Sequence, residues 1–306
     1  KRQAAARIRR LDEQAEVIIF ERSGFVSYAN CGLPYYIGGI IEDKEELTLQ
    51  TPEHFRERFR IDVRVHHEVT AIHPDKKTVT VKNLETGESF EESYDKLLLS
   101  PGARPVQPNL PGTGMEHLFT LRTVEDTLKI RDFVVKEKPK SAVLAGGGYI
   151  GLEVAENLRE LGMDVTIVQR PNQVLNPLDY EMATFVHAKL REKGIHLMLG
   201  HSVEGFEKDS DSLKVLLKDV DPLKADMVIL AIGVAPDTHL AKDVGLKLGI
   251  KNSIVVNDHM ETSVPDIYAV GDAVEVHHMV TGQQALISLA GPANKQGRIA
   301  ADNICG

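Results

Sequence analysis

Cys31 is the residue of this chain best suited to covalent chemistry, and it stands in the run Ser27-Tyr28-Ala29-Asn30-Cys31-Gly32-Leu33-Pro34-Tyr35. A sulfur becomes a nucleophile only as thiolate, and a cysteine that closes a loop and opens a helix gains the positive end of the helix dipole. The neighbours suit that use. Ser27 and Asn30 bring hydrogen-bonding side chains close in sequence, and Gly32 with Pro34 reads as a tight turn into a helix, where backbone N–H groups face an anion. A cysteine placed only for packing requires none of these. The other cysteine, Cys305, lies at the far end of the chain.

A second constellation suits a phosphate. Gly146, Gly148 and Gly151 sit between an apolar strand pattern at 142–145 and a helical pattern at 152–161. The first glycine permits the tight turn, the second the close approach of a pyrophosphate, and the third the packing of helix on strand. The following strand pattern, 164–168, leads to Gln169 and Arg170. An acid at 169 would accept from a ribose 2′-hydroxyl and repel a 2′-phosphate, whereas a neutral amide followed by a guanidinium admits NADPH as well as NADH. A third pattern, 267–270, ends in Gly271-Asp272. A carboxylate at the carboxyl end of a buried strand can accept from a polyol, or Asp272 can cap a helix opening at Ala273. Taken with Glu21, which ends an apolar strand pattern at 15–20, it points to a second dinucleotide.

These residues need parallel strands to place them. Residues 3–11 read as a helix and 15–20 as a strand, the second half of a dinucleotide-binding unit. Residues 63–70, 78–84 and 89–94 alternate like an antiparallel insertion, with a turn at 85–88. A buried strand at 96–99 stops at Ser100-Pro101-Gly102, and the prolines at 105, 108 and 111 mark a domain crossing. A further strand at 226–232 ends in Gly233.

Composition narrows the function classes. The 306 residues predict about two domains, and 42% hydrophobic with 26% charged residues is ordinary for a globular protein. A formal charge of −9 argues against a nucleic-acid surface. Two cysteines build no disulfide framework, which favours a reducing cytoplasm. No apolar run is long enough for a membrane span and no signal peptide is visible. Neighbouring residues of a strand face opposite sides, so neither His66-His67 nor His277-His278 converges on one ion, and no metal is expected.

The runs 27–39, 94–102, 146–153, 262–272 and 291–298 together resemble the flavin-dependent pyridine nucleotide-disulfide oxidoreductases, and within them the coenzyme A-disulfide reductases, including forms fused to a rhodanese domain. The resemblance covers nearly the whole chain. It implies an α/β fold of two Rossmann-like domains: an FAD domain over 1–112 and 241–306, split around an NAD(P) domain over 113–240. The family's first strand with its glycine loop, and its C-terminal dimerisation domain, have no counterpart in this expectation; the full-length protein is expected as a homodimer.

Roles follow from the resemblance residue by residue. It implies catalytic parts for Cys31, Asn30, Ser27, Tyr149 and Glu153, with Tyr149 similar to an aromatic gate on the nicotinamide side of the flavin. It implies cofactor contacts at Glu21, Arg22, Val69, Ser100, Gly102, Arg122, Gly146, Gly148, Tyr149, Ile150, Gly151, Gln169, Arg170, Gly233, Gly271 and Asp272. Substrate contacts are implied at Ser27, Asn30 and Asn294, with Arg7 and Arg10 on coenzyme A phosphates. Dithiol members carry a second cysteine five positions after the first; here that place is Tyr36. The implied reaction passes hydride from NADPH or NADH to FAD and on to a mixed disulfide of Cys31 with coenzyme A, or to a persulfide. Two alternatives are an NADH oxidase or peroxidase cycling through a sulfenic acid, and a flavin-free NADP-binding module without redox activity.

Overall fold

A computed structural model describes residues 1–306, and the chain divides into two compact units. The first comprises Lys1–Tyr28, Leu49–Arg104 and Ala235–Gly306; the second comprises Ala29–Thr48 and Pro105–Val234. No helix is long and apolar enough to cross a membrane.

In the first unit, Ile18–Glu21 pairs in parallel with Asp62–Val65, and Leu97–Leu99 pairs in parallel with Ile267–Ala269. Strands His67–His73, Thr78–Asn83 and Ser89–Ser93 form an antiparallel sheet. Residues 63–70, which alternate as if they were one strand, belong to two. His66 takes a left-handed φ of 55°, so the parallel pair ends at Val65 and the insertion begins at His67. The core gathers Ile72, Val79, Val81, Leu99, Ile254 and Ile267. Helix Arg2–Leu11 packs on helix Ala290–Cys305, with Ala4, Ala5, Ala300 and Ala301 buried.

The arginine run at the start divides by role. Arg9 is 9% exposed and donates to the carbonyls of Phe59 (2.8 Å), Arg60 (3.0 Å), Asp12 (3.2 Å) and Glu13 (2.7 Å). A guanidinium with five donors thereby ties together the carbonyls at the ends of helices Arg2–Leu11 and Pro52–Phe59. Arg7 bonds Asp302 at 2.7 Å, and Arg10 is exposed.

The second unit is built on a five-stranded parallel sheet in the order Leu118–Thr120, Met227–Leu230, Ser141–Ala145, Asp164–Gln169, His196–Leu199. The strand order reverses between Ser141–Ala145 and Met227–Leu230, where such folds leave a crevice beyond the carboxyl ends. An antiparallel sheet of Val203–Asp209, Ser212–Leu217 and Val220–Ala225 joins it through a core that includes Val143, Val168, Phe206 and Val215. Two local expectations change. The helix after the glycine turn runs Tyr149–Glu160, starting at Tyr149 rather than Leu152, because Gly148 is extended (φ −83°, ψ −176°) and the chain turns helical directly after it. Gly271–Ala273 is a single 3-10 turn followed by extended Val274, so Asp272 caps no helix there.

Candidate functional site

Cys31 is exposed and lies in the 3-10 turn Asn30–Gly32, just ahead of helix Leu33–Gly38. The turn closes through Gly32 N–H to the Ala29 carbonyl (2.9 Å), and Ala29 N–H reaches the Leu47 carbonyl (2.8 Å). Asn30 is exposed beside the sulfur in sequence. Buried Leu33, Pro34 and Ile37 anchor the helix below. Its far end is gripped twice. Arg131 Nη1 donates to the Ile37 carbonyl at 2.9 Å, next to left-handed Gly39. A Cβ at Gly38 would fall 2.1 Å from Asn157 Oδ1, so glycine is required there. Asn157 is 1% exposed; its Nδ2 donates to the Glu153 carbonyl at 2.8 Å, and its Oδ1 has no protein partner. Sequence reading missed both Arg131 and Asn157. A polar residue on the buried face of the 149–160 helix was the one local signal for Asn157; Arg131 had none.

The glycine turn lies at the switch point of the parallel sheet. Gly146 takes φ 117°, and a Cβ there would stand 2.3 Å from the Ala231 carbonyl oxygen; a Cβ at Gly151 would stand 2.1 Å from that of Gly146. These two glycines are demanded by the protein itself. At Gly148 a Cβ would meet nothing within 4 Å, so the free space there suits a ligand, and exposed Gly233 on the neighbouring strand end is equally open. The turn therefore fits a dinucleotide pyrophosphate, held by backbone N–H groups at the start of a 12-residue helix. Tyr149 is 62% exposed and Ile150 half-buried. The Glu153 carboxyl is pushed up from its ordinary value by burial and then by Glu156. Arg122 is half-buried, with its N–H on Asp126 Oδ2 (2.9 Å). Arg170 is exposed, while Gln169 is half-buried and bonded inward to Gly147.

In the first unit a cleft of about 900 Å³ runs between residues 17–22 and residues 97–101. Glu21, Arg22, Val69 and Ser100 line it. Glu21 pairs with Lys1 and accepts the Ser23 N–H at 3.0 Å; Arg22 reaches Asp237 at 3.2 Å. Half-buried Gly102 accepts the Asp237 N–H on its carbonyl (3.0 Å). At the end of Ile267–Ala269, Gly271 takes φ 84° with open space where a Cβ would stand, and Gln296 Oε1 accepts its N–H at 2.7 Å. Half-buried Asp272 follows. Carboxylates, a cation and an open glycine at the carboxyl ends of parallel strands fit the ribose, phosphate and polyol parts of FAD. Ser27 is buried, its Oγ accepting from Arg2 at 2.7 Å. Asn294 is half-buried on the last helix, which also carries Asp302, the partner of Arg7.

Residues 2–297 match the family described as pyridine nucleotide-disulphide oxidoreductase. A coenzyme A disulfide reductase of Staphylococcus aureus is 38% identical over 302 residues, 99% of this chain and 67% of the relative. The crystal structure of reduced CoADR-RHD from Bacillus anthracis superposes with a TM-score of 0.97 at 47% identity, covering all of this chain and 55% of that one. An NAD-dependent persulfide reductase from A. fulgidus follows, with a TM-score of 0.95, 36% identity, and 99% and 57% of the two chains covered. The chain thus spans about half to two thirds of the length of these relatives.

Proposed function

The chain belongs to the pyridine nucleotide-disulphide oxidoreductase family, and we propose that it serves an enzyme that reduces coenzyme A disulfide, or a coenzyme A persulfide, with electrons from NADPH or NADH. The observation that carries this reading is Cys31: an exposed thiol in a turn whose following helix is pinned at its far end. Tyr36 stands where a resolving cysteine would be, which supports a one-thiol route.

In that route the Cys31 thiolate attacks one sulfur of the disulfide; a Cys31–coenzyme A disulfide forms, the substrate S–S bond breaks, and one coenzyme A leaves as thiolate. FAD, when bound, supplies the two-electron relay between nicotinamide and sulfur. Two electrons and protons then free the second coenzyme A and restore the Cys31 thiol. Asn30 and Ser27 offer hydrogen bonds near the sulfur in sequence, and the guanidinium groups of Arg7 and Arg10 suit the phosphates of the substrate. Exposed Tyr149 is suited to cover the dinucleotide. A reducing cytoplasm and a homodimer of the whole protein accord with this thiol chemistry and with the family.

The test is turnover of coenzyme A disulfide by the flavin-loaded protein, followed as free thiol released. Cys31→Ser is expected to lower it more than about a thousandfold while NADPH still binds. Undiminished thiol release by Cys31→Ser would sink the proposal, and turnover of peroxide in place of the disulfide would move the function to the sulfenic acid cycle.

A further inference from the structure

Gln169 occupies the place from which a dinucleotide-binding fold reads the adenosine ribose, yet its side chain is spent inside the protein. Its Oε1 accepts the Gly147 N–H at 2.9 Å, and its Nε2 donates to the Gln173 carbonyl at 3.1 Å. The other side of Gly147 is held as well, its carbonyl accepting the Leu175 N–H at 2.9 Å. A Cβ on Gly147 would stand 2.8 Å from Val174 Cγ1, so the middle glycine of the turn lies directly on this segment. The segment is itself tied down. Gln173 Nε2 donates to the Leu178 carbonyl at 2.8 Å, and the Val174 N–H donates to Nε2 of buried His187 at 3.1 Å.

Only an amide meets both demands. A carboxylate could accept from Gly147, but it has no hydrogen to give the Gln173 carbonyl and would face that oxygen with charge. The pattern of bonds therefore explains the neutral residue by what the phosphate turn needs. Resting on the reading of residues 141–170 as a nicotinamide dinucleotide site, we infer that Gln169 is a positioning residue: it clasps Gly147 into the pyrophosphate turn and takes no part in choosing between the two ribose forms. The choice passes to exposed Arg170, a cation suited to a 2′-phosphate with no carboxylate at position 169 to oppose it. The ligand class is a nicotinamide dinucleotide whose 2′-phosphate is accepted through Arg170.

Two measurements on the full chain test this. The first is hydrogen exchange of the Gly147 amide without ligand; the second is titration with NADPH and with NADH, read by nicotinamide fluorescence. Gln169→Leu is expected to speed Gly147 exchange and to weaken both dinucleotides by the same factor, about tenfold. Gln169→Glu, which keeps the acceptor for Gly147 but loses the bond to the Gln173 carbonyl, should speed Gly147 exchange less than Gln169→Leu does while weakening NADPH more than NADH. Arg170→Ala should weaken NADPH alone. If Gln169→Leu destabilises the fold, Gln169→Glu decides by itself, because Gly147 exchange there as slow as in the parent contradicts the need for both bonds of the clasp. The inference is overturned if Gln169→Leu leaves Gly147 exchange unchanged, or shifts the NADPH to NADH affinity ratio more than about threefold. Absence of any dinucleotide binding by the unsubstituted chain would overturn the underlying reading instead.

Discussion

Asp266 gathers two kinds of local constraint in one side chain. Its backbone is left-handed, at φ 65°, and its carboxylate meets Lys77 Nζ at 2.6 Å and Lys96 Nζ at 2.5 Å. Hydrogen bonds from the two lysines hold its carboxyl down at about 2, below the ordinary range of an aspartate. A depressed acid stabilises the fold above its unfolded pKa and loses that contribution as pH falls through the folded one. Asp266→Asn removes the charge and retains a residue type that tolerates left-handed backbone. The variant should melt below the parent at pH 7, and the gap in Tm should close between about pH 4 and pH 2; a constant gap across that window would deny the ion pairs their role. Such roles are hidden from sequence because the partners are remote. Arg9 reads like its neighbours Arg7 and Arg10, and only the fold brings it to the carbonyls of Phe59 and Arg60. Gln169 shows the same limit in reverse: its position was legible, but the direction of its side chain was not.

Strand, turn and helix around Gly146–Gly151 were legible because Gly146 and Gly151 answer constraints that lie within a few residues or one strand away. Those constraints separate folding from binding. A Cβ at Gly151 would collide with the Gly146 carbonyl at 2.1 Å, whereas one at Gly148 would enter empty space. Gly151→Ala should therefore cost about 3 kcal/mol or more in denaturant unfolding. Gly148→Ala should leave stability within about 0.5 kcal/mol and still weaken NADPH by about tenfold or more, since the methyl takes the pyrophosphate's space. Equal loss of stability in the two variants would show that Gly148 serves packing. The break at His66 was not legible for a complementary reason: alternation with period two continues through residues 63–70, while the change of sheet depends on one left-handed residue that leaves no mark in the pattern.

The assignment of segments to units depends on contacts between distant parts of the chain, and there sequence reading reached least far. Residues 29–48, which carry Cys31, group with the unit that holds the dinucleotide turn, although they follow the first strand of the other unit. Helix Leu33–Gly38 packs there on helices Val124–Glu137 and Tyr149–Glu160, with Gly38 close against Asn157 and Arg131 bonded to the Ile37 carbonyl, and neither contact has a signature in the sequence around residues 29–48. The first unit, by contrast, joins both ends of the chain: helix Arg2–Leu11 lies on helix Ala290–Cys305 through small residues, with Gly297 placed so that a Cβ would stand 3.4 Å from the Ala4 nitrogen. A Cβ alone would be in ordinary contact, but a larger side chain has no room between two backbones. Gly297→Leu should accordingly destabilise the first unit by about 1–3 kcal/mol, seen as a lower Tm or denaturant midpoint. Every residue of the Gly146–Gly151 turn and its Gln169 clasp belongs to the second unit. NADPH affinity of the folded Gly297→Leu protein at 25 °C should thus stay within about twofold of the parent, and a loss that tracks the fall in stability would mean that the dinucleotide site depends on the helix pair.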